Sequence, residues 1–127
     1  MDKEALARCI DDSKAEIIEA TQNELRNKKY FNIYSGTPDD LIFMASNDTI
    51  EALKLIIQLE RYSIFKSKME WFKNMSESRE KEIDIDMKTS LIEFMLLLKS
   101  QIEKICIADE RIDIVFNNMI NIIEEKF

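Results

Sequence analysis

The sequence predicts an all-α fold, and three observations carry that expectation. The chain of 127 residues holds one Gly (Gly36) and one Pro (Pro38), too little turn material for a sheet-rich fold. Hydrophobic residues make up 46% and charged residues 34%, which suits a compact helical core under a charged surface and argues against disorder. Apolar residues also recur at three- and four-residue steps, the period of amphipathic helices. The length favours one domain over residues 1–127.

Helix one is expected from about Lys3 to Asn27, with Leu6, Ile10, Ser13, Ile17, Thr21 and Leu25 on one face. A connector with three aromatics, Tyr30, Phe31 and Tyr34, leads to Gly36. Thr37-Pro38-Asp39-Asp40 then opens helix two: Thr37 can cap free amides, Pro38 suits the first turn, and the aspartates favour the positive end of the backbone dipole. That helix runs to about Glu60. Ser63 is expected to cap helix three, with Phe65, Met69, Phe72 and Met75 inward and Lys66, Lys68 and Lys73 outward. The charged stretch from Ser76 ends in Asp84-Ile85-Asp86, a second candidate cap. Helix four, about Asp86 to Cys106, and helix five, about Asp109 to Lys126, are apolar on more than one side. A helix covering a small monomer needs only one apolar stripe. The surplus predicts either a homodimer built on these two helices, through Leu96, Leu97, Ile112, Ile120 and Ile123, or two central helices of the core.

Composition removes several function classes. A net charge of −7 opposes attraction to nucleic acid or to an anionic membrane surface. The cations Arg26, Lys28 and Lys29 read as a helix C-terminus. No apolar run approaches the about 20 residues that span a bilayer, and the charged first ten residues lack a signal core. Cys9 and Cys106 are too few for a disulfide framework, so a cytoplasmic protein is expected. Histidine is absent, which takes away the commonest general base, zinc ligand and haem ligand, and the Glu-x-x-His pairs of di-iron bundles. One glycine cannot form a phosphate loop. No catalytic residue and no metal site is assigned.

Weaker matches have plainer readings. Ser63 and Lys66 have the spacing of some acylating enzymes, but a capping serine beside an exposed lysine explains them. Asp39-Asp40 and Asp84/Asp86 fit helix starts better than a cation site. Cys106 is either a reactive thiol or a small buried hydrophobe. Seven methionines and seven phenylalanines either line a cavity for a flexible apolar ligand or fill a solid core, and periodicity does not separate the two.

Two stretches carry a resemblance. They are residues 29–41, Lys-Tyr-Phe-Asn-Ile-Tyr-Ser-Gly-Thr-Pro-Asp-Asp-Leu, and residues 50–71, from Ile50 to Trp71, followed by a charged linker with Ser78 and Arg79. The pattern resembles the sensor domains of sporulation histidine kinases in endospore-forming bacilli, and especially their stand-alone, plasmid-borne copies that inhibit sporulation. It is similar, more loosely, to the non-haem globin domains of stressosome proteins. The resemblance implies a globin-like fold without haem, a homodimer on the last two helices, and a buried site for a fatty acid, with a halide anion as a second ligand. It implies a decoy that modulates a sensor histidine kinase without catalysing anything, because a signal sequestered here is unavailable there. The residues expected to line the apolar tunnel are Phe43, Met44, Leu53, Phe65, Met69, Phe72, Leu91, Met95, Leu98, Phe116 and Met119. Candidates for the carboxylate or anion are Arg61, Tyr62, Tyr30 and Arg79, arginine being suited to bidentate pairing. A helical interaction module without a small-molecule ligand is the alternative.

Overall fold

In the structure, a computed structural model, residues 1–27, 39–83 and 87–127 are described, the side chains of 27, 39, 41 and 75–83 excepted. The expectation of an all-α chain holds. Five helices form among the described residues: α1 (Lys3–Asn27), α2 (Asp39–Leu59), α3 (Ser63–Ile83), α4 (Met87–Ile105) and α5 (Glu110–Lys126). None is both long and apolar enough to cross a membrane.

Local chemistry sets the helix ends. Asp2 begins α1: its Oδ1 accepts from the Ala5 N–H at 2.7 Å and its carbonyl from Leu6 at 2.9 Å, satisfying amides that a helix start leaves unpaired. Glu60 ends α2 with a positive φ of 55°. This left-handed geometry closes many helices and costs a residue with a Cβ. The first α3 bond runs from the Lys66 N–H to the Tyr62 carbonyl at 2.9 Å, so the cap position falls on Tyr62, one residue before the expected Ser63. Asp109 caps α5, taking the Arg111 N–H at 2.8 Å and both ends of its guanidinium. The same guanidinium donates to the Met1 carbonyl at 2.8 Å. It thereby ties the start of α5 to the start of the chain. The expected caps at Thr37 and at Asp84 to Asp86 lie outside the described residues.

Four helices close a ring. α1 lies against α2 and α4, and α5 lies against both α2 and α4. Leu6, Ile10 and Ile17 of α1, Ile50 and Leu53 of α2, Met95, Leu98 and Ile102 of α4, and Ile112, Phe116, Met119 and Ile123 of α5 fill its centre, all but inaccessible to water. α3 stands outside the ring. It leans on α5 more extensively than on α2, anchored by buried Phe65 and Met69. Asn118 of α5 donates to the Tyr62 hydroxyl at 2.9 Å, and Lys126 of α5 donates to Glu70 at 2.6 Å.

This ring corrects the expected dimer face. Ile112 and Ile123 are wholly buried inside the chain, and Leu97 and Ile120 are half-buried against the core. Of the five residues assigned to a subunit interface, only Leu96 is exposed. α4 has two large neighbours and α5 has three, so most of their apolar surface is used within the chain, while Leu96 of α4 and Ile114 of α5 stay about half exposed. They are central helices of the core.

Outside the ring, Lys54 of α2 joins Asp11 of α1 at 2.7 Å and Glu51 at 3.1 Å, and Lys14 of α1 reaches Glu51 at 2.7 Å. Lys54 holds the Asp11 carboxyl below its usual range, and Lys14, then Lys54, do the same for Glu51. Burial works against the Lys54 charge, but its two carboxylate partners raise its pKa overall. The network fixes α1 against α2.

Candidate functional site: an apolar groove between α2 and α3

The period of α2 leaves large side chains unburied. Its inward stripe is Ile42, Ser46, Thr49, Ile50, Leu53, Ile56 and Ile57, spaced at three and four residues as one helix face requires. Phe43 and Met44 follow Ile42 by about 100° and 200° of rotation. Expected to point inward, they are instead 49% and 56% exposed. α3 behaves likewise: Phe65 and Met69 are buried, while Ile64 and Trp71 on its outer face are 53% and 62% exposed.

Because α3 is hung mainly from α5, it stands off from α2 and leaves an open groove of about 520 Å³. Met44 and Asp48 form the α2 wall. Ile64, Lys68, Trp71 and Phe72 form the α3 wall, with Ser63 and Ser67 beside them. Trp71 meets Phe72 edge to face, ring centroids 5.4 Å apart, an arrangement favoured by the aromatic quadrupole. At the rim Lys68 pairs with Asp48 at 2.8 Å, both side chains more than two-fifths exposed. An exposed pair of this kind contributes little stability, and its lysine can exchange carboxylate partners.

The expected tunnel residues divide into three groups. Leu53, Phe65, Met69, Leu91, Met95, Leu98, Phe116 and Met119 belong to the packed core. Leu53, Leu98, Phe116 and Met119 have no surface within reach of a water-sized sphere, and Met95 almost none, so no water-sized void borders them. Met44 and Phe72 come together in the groove. Phe43 is on the exposed side of α2.

Among the anion candidates, Arg61 is exposed in the turn between α2 and α3. Tyr62 is half-buried, its hydroxyl engaged by Asn118, and neither residue lines the groove. Tyr30 and the side chain of Arg79 lie outside the described residues, as does the side chain of Met75. The sequence reading missed Ile64, Lys68, Asp48 and Trp71 as one site. Trp71 alone carried a signal, a large aromatic in an otherwise charged stretch.

No group of three or more His, Cys, Asp or Glu side chains is placed to hold a metal ion among the described residues. The groove offers apolar contact and one exchangeable cation, which is chemistry for binding. No family model, curated protein or solved structure matches this chain.

Proposed function

We propose that this chain is a non-catalytic binding domain whose working surface is the α2–α3 groove. In line with its resemblance to sporulation-kinase sensor domains, it acts as a decoy. It takes up the apolar acid signal of such a kinase, lowering kinase output and inhibiting sporulation by mass action.

The observation that carries the reading is a groove walled by Met44, Ile64, Trp71 and Phe72 with Lys68 at its rim. A fatty acid presents the complementary parts. Its flexible chain gains from burial against methionine and aromatic surface, and its carboxylate can replace Asp48 as the partner of Lys68. The ligand therefore binds at the side of the ring, and the expected tunnel through the core is not used.

Trp71 is the chain's single tryptophan, so its fluorescence reports on the groove directly. Titrating the full chain with a long-chain fatty acid should shift and saturate that emission, and native mass spectrometry should show one bound acid. Ile64→Glu and Lys68→Glu should each weaken binding at least tenfold while helicity stays unchanged. A flat titration together with a ligand-free mass would overturn the fatty-acid reading.

The closed packing around Leu53, Leu98, Phe116 and Met119 favours a second reading, an interaction module that uses the same groove for protein contact. In that case the isolated sensor domain of a sporulation kinase, added without lipid, should move Trp71 emission, and Ile64→Glu should abolish the change. A homodimer gives a third form of contact, and a solution mass of two chains is its signature.

A further inference from the structure

Cys9 lies early in α1 and Cys106 in the turn after α4, 97 residues apart in sequence. Their Sγ atoms are nevertheless 2.8 Å from each other, in thiol–thiol contact, and both residues are free and half-buried. Neighbouring structure holds them there. The Cys106 N–H donates to the Ile102 carbonyl at 2.9 Å, and Ile107 donates to the same oxygen at 3.2 Å, fixing the end of α4. Leu6, Ala7 and Ile10 seat the first turns of α1 in the core. Two reduced sulfurs in mutual reach at a partly open surface need little backbone movement to bond.

We propose that Cys9 and Cys106 are a reversible modification site, an oxidisable dithiol that a peroxide converts into a disulfide stapling α1 to the end of α4. The balance is simple. The Cys9 sulfur attacks the peroxide O–O bond, giving a sulfenic acid and releasing water or an alcohol. The Cys106 sulfur then displaces water from the sulfenic sulfur. Two electrons and two thiol hydrogens leave the pair, and the peroxide is reduced. Burial, then the Cys9 sulfur, pushes the Cys106 thiol up to about 12. Cys106 therefore keeps its proton at neutral pH, and in the second step that proton leaves with the sulfenic hydroxyl as water. A thiol reductant restores both groups by exchange.

Closing a loop of this length removes much of the unfolded chain's freedom, so oxidation should raise Tm on the order of 10 °C. The test treats the reduced full chain with near-stoichiometric hydrogen peroxide. The expected product carries no disulfide between chains and is two hydrogens lighter per chain, without titratable thiols and with a higher Tm; dithiothreitol reverses all of it. Cys9→Ser and Cys106→Ser should each give neither the lighter mass nor the Tm shift. Two surviving thiols in the wild type, a disulfide between chains, or oxygen added to the sulfurs with no lighter species would each overturn the assignment.

Discussion

Met95 separates a core that is full from one that holds a ligand. It lies on α4 at the centre of the ring, 1% exposed, within a cluster that includes Leu53, Leu98, Phe116 and Met119. Truncation to Ala removes the thioether end and leaves a hole that tightly packed neighbours refill only in part, a cost of about 2–5 kcal/mol. Domains of this kind hold about 5–15 kcal/mol in total, so the loss is a large share of it. Taking about 3 kcal/mol, Tm should fall by roughly 10 °C for a chain of this length. Met95→Leu conserves volume and should cost less than about 1.5 kcal/mol. Urea unfolding followed by far-UV circular dichroism measures both, and fatty-acid titration of Trp71 emission in Met95→Ala should match the wild type. A loss below about 1 kcal/mol would mean that the side chain borders empty space, and reduced lipid uptake by the bulkier Met95→Phe would place the ligand inside. Either result refutes the closed core.

Three further perturbations test how the helices are held. Asp109→Ala should lose about 1–2 kcal/mol by removing the α5 cap and its Arg111 bonds, and Asp109→Asn should lose less because an amide oxygen still caps. Hydrogen bonding to Arg111 holds the Asp109 carboxyl below its usual range. Its charge therefore stabilises fully above about pH 4 and fades as pH falls through the lowered folded value. The gap between wild type and Asp109→Asn should close in acid, and a widening gap would contradict the assignment. Glu60→Gly should raise stability by up to about 1 kcal/mol, read as Tm, because glycine takes the positive φ without a Cβ penalty; the exposed 3.4 Å Lys3–Glu60 pair offsets little. Lys54→Met should destabilise slightly in low-salt urea melts, and the difference should nearly vanish at about 1 M salt. A difference that persists there would mean packing, not charge, dominates.

Most helix limits were readable because they depend on local chemistry; α3 is the exception, running on to Ile83 through the stretch read as a charged linker. α1 spans its expected Lys3 to Asn27, α2 ends within one residue of the expected limit, and α5 starts one residue after the expected Asp109, which caps it. The face of α2 was misread at Phe43 and Met44 because its buried stripe includes two small polar residues. Ser46 and Thr49 look like surface in a hydropathy pattern, yet Thr49 is satisfied by its own helix, donating to the Ala45 carbonyl at 2.7 Å. With those two counted as outside, the contrast between the buried stripe and the sides that carry Phe43 and Met44 is weakened. The apolar excess of α4 and α5 was real, but periodicity reports how much surface is apolar without saying who covers it. The other chain segments cover Ile112 and Ile123. The thiol contact and the groove are tertiary facts: nothing near Cys9 announces Cys106, and nothing near Met44 announces Trp71.

The attachment of α3 has a mechanical corollary. One wall of the groove belongs to the ring, and the other is carried by α3, which leans mainly on α5 and is tied to it by the Asn118–Tyr62 and Lys126–Glu70 bonds. The gap can therefore change width by a small pivot of α3 about its α5 seam, with no repacking of the four-helix centre. In the proposed binding role, such a jaw would suit guests of unequal thickness, a single acyl chain or a whole amphipathic helix. Substitutions along the seam, remote from any guest, should then alter what it grips.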